Sequence, residues 1–236
     1  EGEYSSVGGR MYGGTEREIV IQETVMSRVG VDRVLKYAFE LAQRRPRKKL
    51  TSATKSNGIS ITMPYWDERV KEMAKNYPDV AVDQYHIDIL TAHFVLNPDR
   101  FDVVVASNLF GDILSDLGGH LMGSRGLTFG ASFGIQGEAI YQTNHGAAWP
   151  LAGKDLANPA GHLQSLAWML DRSYGLKEAS QKLRDALNEV FSEGIRTADL
   201  VEPGAWNLSA PASKIVGTSE FGRLVCERLE TVQAVH

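Results

Sequence analysis

The stretch that decides the fold is FDVVVASNLFGDILSDLGG, residues 101–119. Its first part, residues 101–107, is rich in β-branched residues, which is typical of a strand buried on both faces. From residue 109 to residue 122 the apolar positions recur at helical spacing, so the pattern predicts a helix directly after the strand. A buried strand followed at once by a helix indicates an α/β protein.

The preceding segments repeat this alternation, with predicted strands at 49–55 and 80–85 and helices at 63–75 and 87–96. Strands that alternate with helices predict a parallel or mixed sheet with helices packed on it. Residues 17–28 are predicted to form a strand or hairpin arm. A further helix is predicted from its apolar stripe, which consists of Val31, Val34, Leu35, Ala38, Phe39 and Ala42.

The pattern changes beyond residue 123. Residues 124–159 are predicted to be rich in loops, and three helices are predicted after them, at 160–172, 177–192 and 220–235. We therefore expect two domains, residues 1–123 and residues 124–236.

Composition excludes several classes of protein. The 25 basic and 29 acidic residues give a net charge of −4, which argues against a general nucleic-acid binder. No apolar run reaches the roughly 18 residues that a membrane span needs. Cys226 is the only cysteine, so a disulfide within the chain is excluded and a reducing, cytoplasmic location is expected.

Asp112 and Asp116 are four residues apart on the predicted helix, so both carboxylates project from the same face. Two like charges at this spacing repel unless a cation lies between them or water solvates both. The alternative is a solvated acidic face, but the apolar neighbours Ile113, Leu114 and Leu117 favour a buried pair that binds Mg²⁺ or Mn²⁺.

Other polar residues are weaker signals when each is taken alone. Lys55 follows a predicted strand and Asp88 opens a predicted helix, and each could equally be a surface charge. We interpret His86 and His93 as packing or surface histidines because no further zinc ligand lies at suitable spacing. The basic run RRPRKK, residues 44–49, is interpreted as an exposed charged face rather than a phosphate site.

A long loop, NHGAAWPLAGKDLANP at residues 144–159, could enclose a flat heteroaromatic group through backbone hydrogen bonds. The chain has no G-x-G-x-x-G sequence after a strand and no Walker A sequence. Neither dinucleotide binding through the first motif nor nucleoside-triphosphate binding through the second is therefore expected.

Taken together, four segments resemble the β-decarboxylating hydroxyacid dehydrogenases, the family of 3-isopropylmalate, isocitrate, tartrate and D-malate dehydrogenases. They are EGEYSS, SATKSN, FDVVVASNLFGDILSD and HGAAWPLAGKDLANP, which occur in the family's order. EGEYSSVGGRMY, TEREIVIQE and YHIDIL are most similar to its tartrate and D-malate branch. The resemblance implies an isopropylmalate-dehydrogenase-like α/β fold in which residues 1–123 form the small, dimerising, metal-binding domain. Residues 124–236 would form the C-terminal part of the NAD-binding domain.

The resemblance also implies a role for each matching residue. Asp112 and Asp116, with Asp88 of the neighbouring subunit, would bind Mg²⁺ or Mn²⁺, which would chelate the hydroxyl and carboxylate of a malate-like 2-hydroxyacid. Lys55 of the neighbour would act as the base, and Tyr4 would protonate the enol carbon after CO₂ leaves. Asn57 would lie near the nicotinamide of NAD, and His145, Gly146 and Asn158 around its adenosine. A homodimer with shared active sites follows, with neither nucleic acid nor membrane as a partner.

Three departures from the family pattern leave an alternative open. The substrate-binding arginines and the first part of the cofactor domain would precede Glu1, so we expect the chain to be the latter part of a longer protein. Gln142 stands where an acid is expected near the nicotinamide ribose. Pro150 replaces the usual Asp or Lys at the adenosine ribose, which favours NAD over NADP because no cation is present. The alternative is a non-catalytic homologue, a regulatory or structural subunit without those arginines.

Overall fold

A computed structural model describes residues 2–201 and 214–233 and confirms the α/β class. The elements in chain order are β1 (Gly2–Met11), β2 (Ile19–Val25), α1 (Arg28–Arg44), β3 (Lys49–Thr54), α2 (Thr62–Ala74), β4 (Ala81–His86), α3 (Ile87–Leu96), β5 (Val103–Val105), α4 (Asn108–Leu121), β6 (Gly130–Phe133), β7 (Ala139–Gln142), α5 (Ala160–Arg172), α6 (Lys177–Ser192), β8 (Ile195–Arg196), β9 (Lys214–Ile215) and α7 (Thr218–Gln233). The chain divides into two compact units, Glu1–Leu117 and Gly118–His236. The division falls within α4, whereas the sequence places the boundary after residue 123.

The sheet of the first unit has three parallel strands in the order β4, β3, β5. Thr54 at the end of β3 pairs with His86 at the end of β4, and Ser52 pairs with Val105 at the end of β5. Because parallel strands run the same way, the segments that follow all three emerge at one edge of the sheet. We call this edge the carboxyl edge.

Residues alternate between the two faces of this sheet, as a strand period of two requires. Leu50 and Val105 belong to a core that includes buried side chains of α1 and α2, whereas Ala53 packs with Leu90 of α3 and Leu114 of α4. The predicted helices of this unit are therefore confirmed as the layers that cover the sheet. Within the stripe predicted for α1, Val34 is an exception: it lies at the edge of the stripe and is 41% exposed.

The first two strands form an antiparallel hairpin, which confirms the predicted arm at residues 17–28. Most of the hairpin is exposed, and its apolar side chains are solvent-accessible; they include Val7, Met11, Ile19, Val20 and Ile21. An isolated two-stranded hairpin is marginally stable in water, so a hairpin with this composition is suited to packing against another surface.

The second unit has a helical core made by α5, α6 and α7, and all three helices were predicted. Within residues 124–159, which were predicted to be rich in loops, β6 and β7 pair as an antiparallel hairpin that the sequence analysis did not identify. Phe133 and Tyr141 of this hairpin pack edge-to-face on Trp168 of α5, with ring centroids 5.7 and 6.1 Å from it. This aromatic packing stabilises the β6–β7 hairpin, although its glycines weaken the pattern of alternating residues that is typical of a strand.

Within residues 2–201 and 214–233, no helix combines the length and the apolar character needed to span a membrane.

Candidate active site

Lys55 and Asp88 meet at the carboxyl edge. Lys55 directly follows β3 and Asp88 is the second residue of α3, which directly follows β4. Their side chains form an ion pair in which Nζ of Lys55 lies 2.7 Å from Oδ2 of Asp88. The Lys55 side chain is largely covered and that of Asp88 is 64% exposed, so the carboxylate remains open to a further ligand.

The surroundings of Asp88 favour its charged form. The hydrogen bond from Lys55 is the largest cause that lowers the pKa of this carboxyl, and a backbone hydrogen bond from Ile89 adds to it. The residue also lies in the first turn of α3, where the helix dipole stabilises a negative charge. Asp88 is therefore an ionised oxygen donor at neutral pH.

Helix α4 begins at the same edge, since β5 ends at Val105 and the helix starts at Asn108. Asp112 and Asp116 lie on it one turn apart. The expectation that this pair is buried is wrong for the single chain, because Asp112 is exposed and Asp116 is half-buried. Leu114 points into the core, whereas Ile113 beside Asp112 is 46% exposed, so this side of the helix is open.

The donor set on α4 fits a hard divalent cation. Among the described residues, the carboxylate of Asp112 makes no hydrogen bond or ion pair, so its oxygens are available to a metal ion. Carboxylate oxygens are the ligands that Mg²⁺ and Mn²⁺ prefer. In the described part of one chain, however, no three His, Cys, Asp or Glu side chains gather as a metal site. One chain therefore does not assemble Asp88, Asp112 and Asp116, and the contribution of Asp88 by a neighbouring subunit stays a prediction.

Tyr4 lies on β1 and is 53% exposed. The residue before it, Glu3, joins this strand to the start of α4. The Glu3 carboxylate accepts hydrogen bonds from Oγ of Ser107 at 2.8 Å and from the backbone N–H of Leu109 at 3.1 Å. A carboxylate at a helix N-terminus satisfies an otherwise unpaired N–H and complements the helix dipole.

Glu3 is a site residue that sequence reasoning missed. Its partner Leu109 is 106 positions away, and no local pattern identifies a contact of that separation. The carboxylate places the backbone of the predicted acid, Tyr4, against the helix that carries the predicted metal ligands. Lys55, Asp88 and the helix that carries Asp112 thus share the carboxyl edge of the sheet. Glu3 joins the strand that carries Tyr4 to the start of that helix.

Asn57 lies in a tight turn after β3 and is exposed. The turn is closed by hydrogen bonds from the backbone N–H groups of Gly58 and Ile59 to the carbonyl of Lys55, at 2.9 and 2.8 Å. Lys55 and Asn57 are therefore held in one rigid turn at the carboxyl edge. The position of Asn57 near a nicotinamide stays a prediction.

The loop at residues 144–159 belongs to the second unit. His145 is half-buried, with Nδ1 2.9 Å from the carbonyl oxygen of Gly146, and space beside Gly146 is open. Trp149 is 80% exposed and follows Ala148, whose φ of 47° is left-handed. Much of the loop thus presents backbone and an aromatic ring to solvent.

Asn158, at the end of this loop, has a structural role. Its Oδ1 accepts a hydrogen bond from the backbone N–H of Ala160 at the start of α5, at 3.0 Å, and its Nδ2 donates to Oδ2 of Asp199 at 3.2 Å. Ser124 donates to the same Asp199 oxygen. The side-chain amide therefore has one N–H left for a ligand, and its backbone is held in place.

The basic run at residues 44–49 and His93 both have structural contacts within the first unit. In the basic run, Arg45 pairs with Asp102 and Lys48 with Asp79, at 2.6 and 2.8 Å, so these cations join elements of the first unit rather than form a phosphate site. His93 packs edge-to-face on the Tyr85 ring, with centroids 5.4 Å apart, which is the packing role expected for it.

Comparison with known proteins adds independent information. The family model described as isocitrate/isopropylmalate dehydrogenase matches residues 1–225. The D-malate dehydrogenase [decarboxylating] of Escherichia coli strain K12 is 53% identical over 206 residues, 85% of this chain and 57% of the relative. The tartrate dehydrogenase/decarboxylase of Pseudomonas putida is 51% identical over 207 residues, with the same coverage of 85% and 57%. The chain therefore spans less than three fifths of the length of these relatives.

Solved structures confirm the predicted fold. The crystal structure of isocitrate dehydrogenase from Methylococcus capsulatus superposes with a TM-score of 0.85 at 34% identity, covering 97% of this chain and 64% of that one. The TT0538 protein from Thermus thermophilus superposes with a TM-score of 0.83 at 29% identity, covering 97% and 43%.

Proposed function

This chain belongs to the isocitrate/isopropylmalate dehydrogenase family, and from that premise we propose that the protein is a metal-dependent, NAD-linked enzyme that oxidatively decarboxylates a malate-like 2-hydroxyacid. The observation that carries the proposal is the carboxyl edge, where the Lys55–Asp88 ion pair and the start of the aspartate-bearing helix α4 come together. The relatives named above, which act on D-malate and tartrate, support this substrate class.

Lys55 and Asp88 would act on the substrate's hydroxyl. In its neutral amine form, Lys55 would accept the hydroxyl proton through a proton relay as the substrate is oxidised, and the ammonium that results is the state that pairs with Asp88. The closed turn holds the backbone from which this side chain extends. Asp88 holds this nitrogen at 2.7 Å and keeps its own charge for a cation. The pair would therefore combine a base with a metal ligand.

Tyr4 would serve as the acid. After CO₂ leaves, a proton must be delivered to the enol carbon, and the Tyr4 hydroxyl would supply it. The hydrogen bonds of Glu3 to Ser107 and Leu109 support this role, since they tie the tyrosine strand to α4. A tyrosine on an unanchored hairpin would not be held at a reacting carbon.

Asp112 and Asp116, with Asp88 of the neighbour, would hold Mg²⁺ or Mn²⁺, which when bound would supply a Lewis acid for the substrate's hydroxyl and carboxylate. NAD would accept the hydride, with Asn57 on the nicotinamide side. His145, Gly146 and Asn158 would surround the adenosine, chiefly through the backbone of the loop. Pro150 offers no cation for a 2′-phosphate, which supports NAD rather than NADP.

A homodimer with shared sites is part of the proposal. One chain does not gather the three acidic ligands in its described residues, so a second chain would have to supply the third. The exposed apolar hairpin of β1 and β2 supports association, since side chains such as Val20, 70% exposed, would be covered by a partner.

The test uses the full-length protein as the gene encodes it. Incubation with NAD, Mn²⁺ and D-malate, tartrate or 3-isopropylmalate should release NADH and CO₂ in equal amounts, and chelation of the metal should stop both. Asp112→Asn should lower kcat/KM by roughly 100-fold or more, since it removes a ligand that acts in the transition state. Asp99→Asn, which changes another exposed aspartate of the first unit, is the matched control and should stay near the unsubstituted rate.

Two results would contradict the proposal. A folded dimer that turns over none of these 2-hydroxyacids would show a non-catalytic homologue. Turnover that is unchanged in both Asp112→Asn and Lys55→Met would place the chemistry elsewhere.

A further inference from the structure

Asp155 connects the loop at residues 144–159 to the start of helix α7. Its Oδ1 accepts a hydrogen bond from the backbone N–H of Ser219 at 2.8 Å and another from the Ser219 hydroxyl at 2.7 Å. Its backbone carbonyl accepts a third, from the N–H of Thr218 at 3.1 Å. The Thr218 hydroxyl donates in turn to the carbonyl of Ala157 at 2.5 Å. Four hydrogen bonds thus join a three-residue piece of the loop to the first two residues of the helix.

The connection has a clear physical origin. The first N–H groups of a helix lack partners within the helix, and Asp155 supplies acceptors for two of them. A carboxylate at this position is also favoured by the helix dipole. The hydrogen bond from the Ser219 N–H is the largest cause that lowers the pKa of Asp155, and the hydrogen bond from the Ser219 hydroxyl is the next largest. The side chain is therefore charged at neutral pH. Asp155 is therefore a helix cap supplied by a residue 64 positions earlier.

Backbone geometry shows that this contact shapes the loop. Asp155 has a φ of 54°, a left-handed conformation that Asp tolerates better than most residues but that still needs support from its surroundings. At Gly217, a Cβ would lie 2.3 Å from Oδ2 of Asp155 and 2.5 Å from its carbonyl oxygen. The close approach therefore requires glycine at 217, and the loop backbone is packed directly on the chain entering α7.

Asp155 and Asn158 anchor the end of the loop, and the part before them is open. Among the described residues, apart from those adjoining in the chain, no atom lies within 4 Å of the place a Cβ would take at Gly146 or Gly153, and the Trp149 side chain is mostly exposed. A free loop with this many small residues would sample many shapes, and a ligand would bind only the fraction that is competent. An anchor at 155 raises that fraction without contact between Asp155 and the ligand.

We propose that Asp155 is a positioning residue for the dinucleotide: by capping α7 it holds the loop backbone in the shape that binds adenosine. This inference rests on the proposed function, in which the loop receives the adenosine of NAD. It adds a residue to which neither sequence motif nor resemblance assigns a role. Because Oδ1 is committed to Ser219, the effect of Asp155 is on affinity for the adenosine half of NAD and not on the chemical step.

The experiment compares variants of the full-length protein by calorimetry with NAD and with ADP-ribose, and by kinetics at saturating hydroxyacid. Asp155→Gly keeps the left-handed backbone but loses the side-chain hydrogen bonds, and it should weaken both ligands by about tenfold, as expected if the competent fraction falls to about a tenth. Its kcat at saturating NAD should stay within about twofold. Asp155→Asn keeps an acceptor oxygen and the backbone conformation, so it should recover most of the affinity.

Ser219→Ala is a milder second variant that retains the backbone N–H and loses only the hydroxyl, so it should weaken NAD by about threefold if the competent fraction falls in proportion. Glu230→Ala, on the exposed side of the same helix, is the matched control and should change neither ligand. Unchanged NAD and ADP-ribose affinity in both Asp155→Gly and Ser219→Ala would overturn the inference while the proposed function stands. A fall in kcat that matches the fall in affinity would also overturn it, in favour of general damage to the fold. An unsubstituted protein that binds neither ligand would reject the proposed function, and the inference with it.

Discussion

Replacing Glu3 with alanine should destabilise the first unit, because it removes the acceptor for both Ser107 Oγ and the Leu109 N–H at the start of α4. Loss of an N-terminal cap costs about 0.5–2 kcal/mol, and loss of a negative charge near a helix N-terminus costs about 0.3–1 kcal/mol. The two contributions overlap, so the free energy of unfolding should fall by about 2 kcal/mol. With a urea dependence of about 2 kcal/mol per M, the midpoint should fall by about 1 M.

Glu3→Gln separates the hydrogen bonds from the charge. The glutamine oxygen can accept from the Leu109 N–H and its amide can donate to the Ser107 hydroxyl, so only the interaction with the helix dipole is lost. The midpoint should then fall by about 0.2–0.5 M, and salt should reduce the difference from the unsubstituted chain. Glu16→Ala, at the exposed tip of the same hairpin, is the control and should leave the midpoint unchanged.

The transition of the first unit can be followed by the fluorescence of Trp66, which is 2% exposed and donates to Oγ of Ser52 at 3.0 Å. Phenylalanine at Trp149, Trp168 and Trp206 would leave this single reporter. Equal midpoints for Glu3→Ala and the unsubstituted chain would refute the capping role. Equal losses for alanine and glutamine would show that charge and not geometry is the contribution.

Three further predictions concern other contacts. Arg69→Met should destabilise the first unit by about 1–3 kcal/mol in urea unfolding, because it removes the paired hydrogen bonds to Asp32 at 2.7 and 2.9 Å that join α2 to α1; an unchanged midpoint would contradict this. The pKa of Glu220 is lowered from 4.5 to about 2, chiefly by Arg223, so its contribution to stability is present above pH 4.5 and is lost as the pH falls towards about 2. Glu220→Gln should therefore lower the urea midpoint at pH 7 and flatten its decline in that acid range, and an unflattened decline would reject the assignment. Asp112→Asn should weaken Mn²⁺ binding by about 10–100-fold in calorimetry on the dimer, and equal affinity would exclude this carboxylate as a ligand.

Much of the fold follows from patterns that burial imposes. The run of valines at 103–105 and the helical stripe of α1 must face a core, so their periodicity is visible in the sequence. The meeting of Lys55 and Asp88 is also predictable, since parallel strands end at one edge. The β6–β7 hairpin was missed because Gly130 and the glycines of its turn obscure the strand pattern, and its stability comes from Trp168, which is distant in sequence.

The parts of the site that escaped prediction depend on long-range contacts. Glu3 and Asp155 each cap a helix that begins far along the chain, and the cap residue itself carries no local signal. The burial of Asp112 was overestimated for a related reason. Apolar neighbours in the sequence indicate that a helix has a buried side, but they do not determine how far around the helix that side extends.

The ion pair of Lys55 with Asp88 has a consequence for dimers that combine two different subunits. Both residues belong to one polypeptide, while the proposed site also needs Asp112 of the other polypeptide. In a dimer of one substituted and one unsubstituted subunit, a subunit that lacks Lys55 would inactivate only the site to which it contributes the lysine, and the site built on its own α4 would remain intact. A subunit that lacks both Lys55 and Asp112 would spoil both sites of every mixed dimer. Under the proposed arrangement, a subunit with one of these substitutions leaves one active site in each mixed dimer. A subunit with both leaves none, so it also removes the activity of its unsubstituted partner.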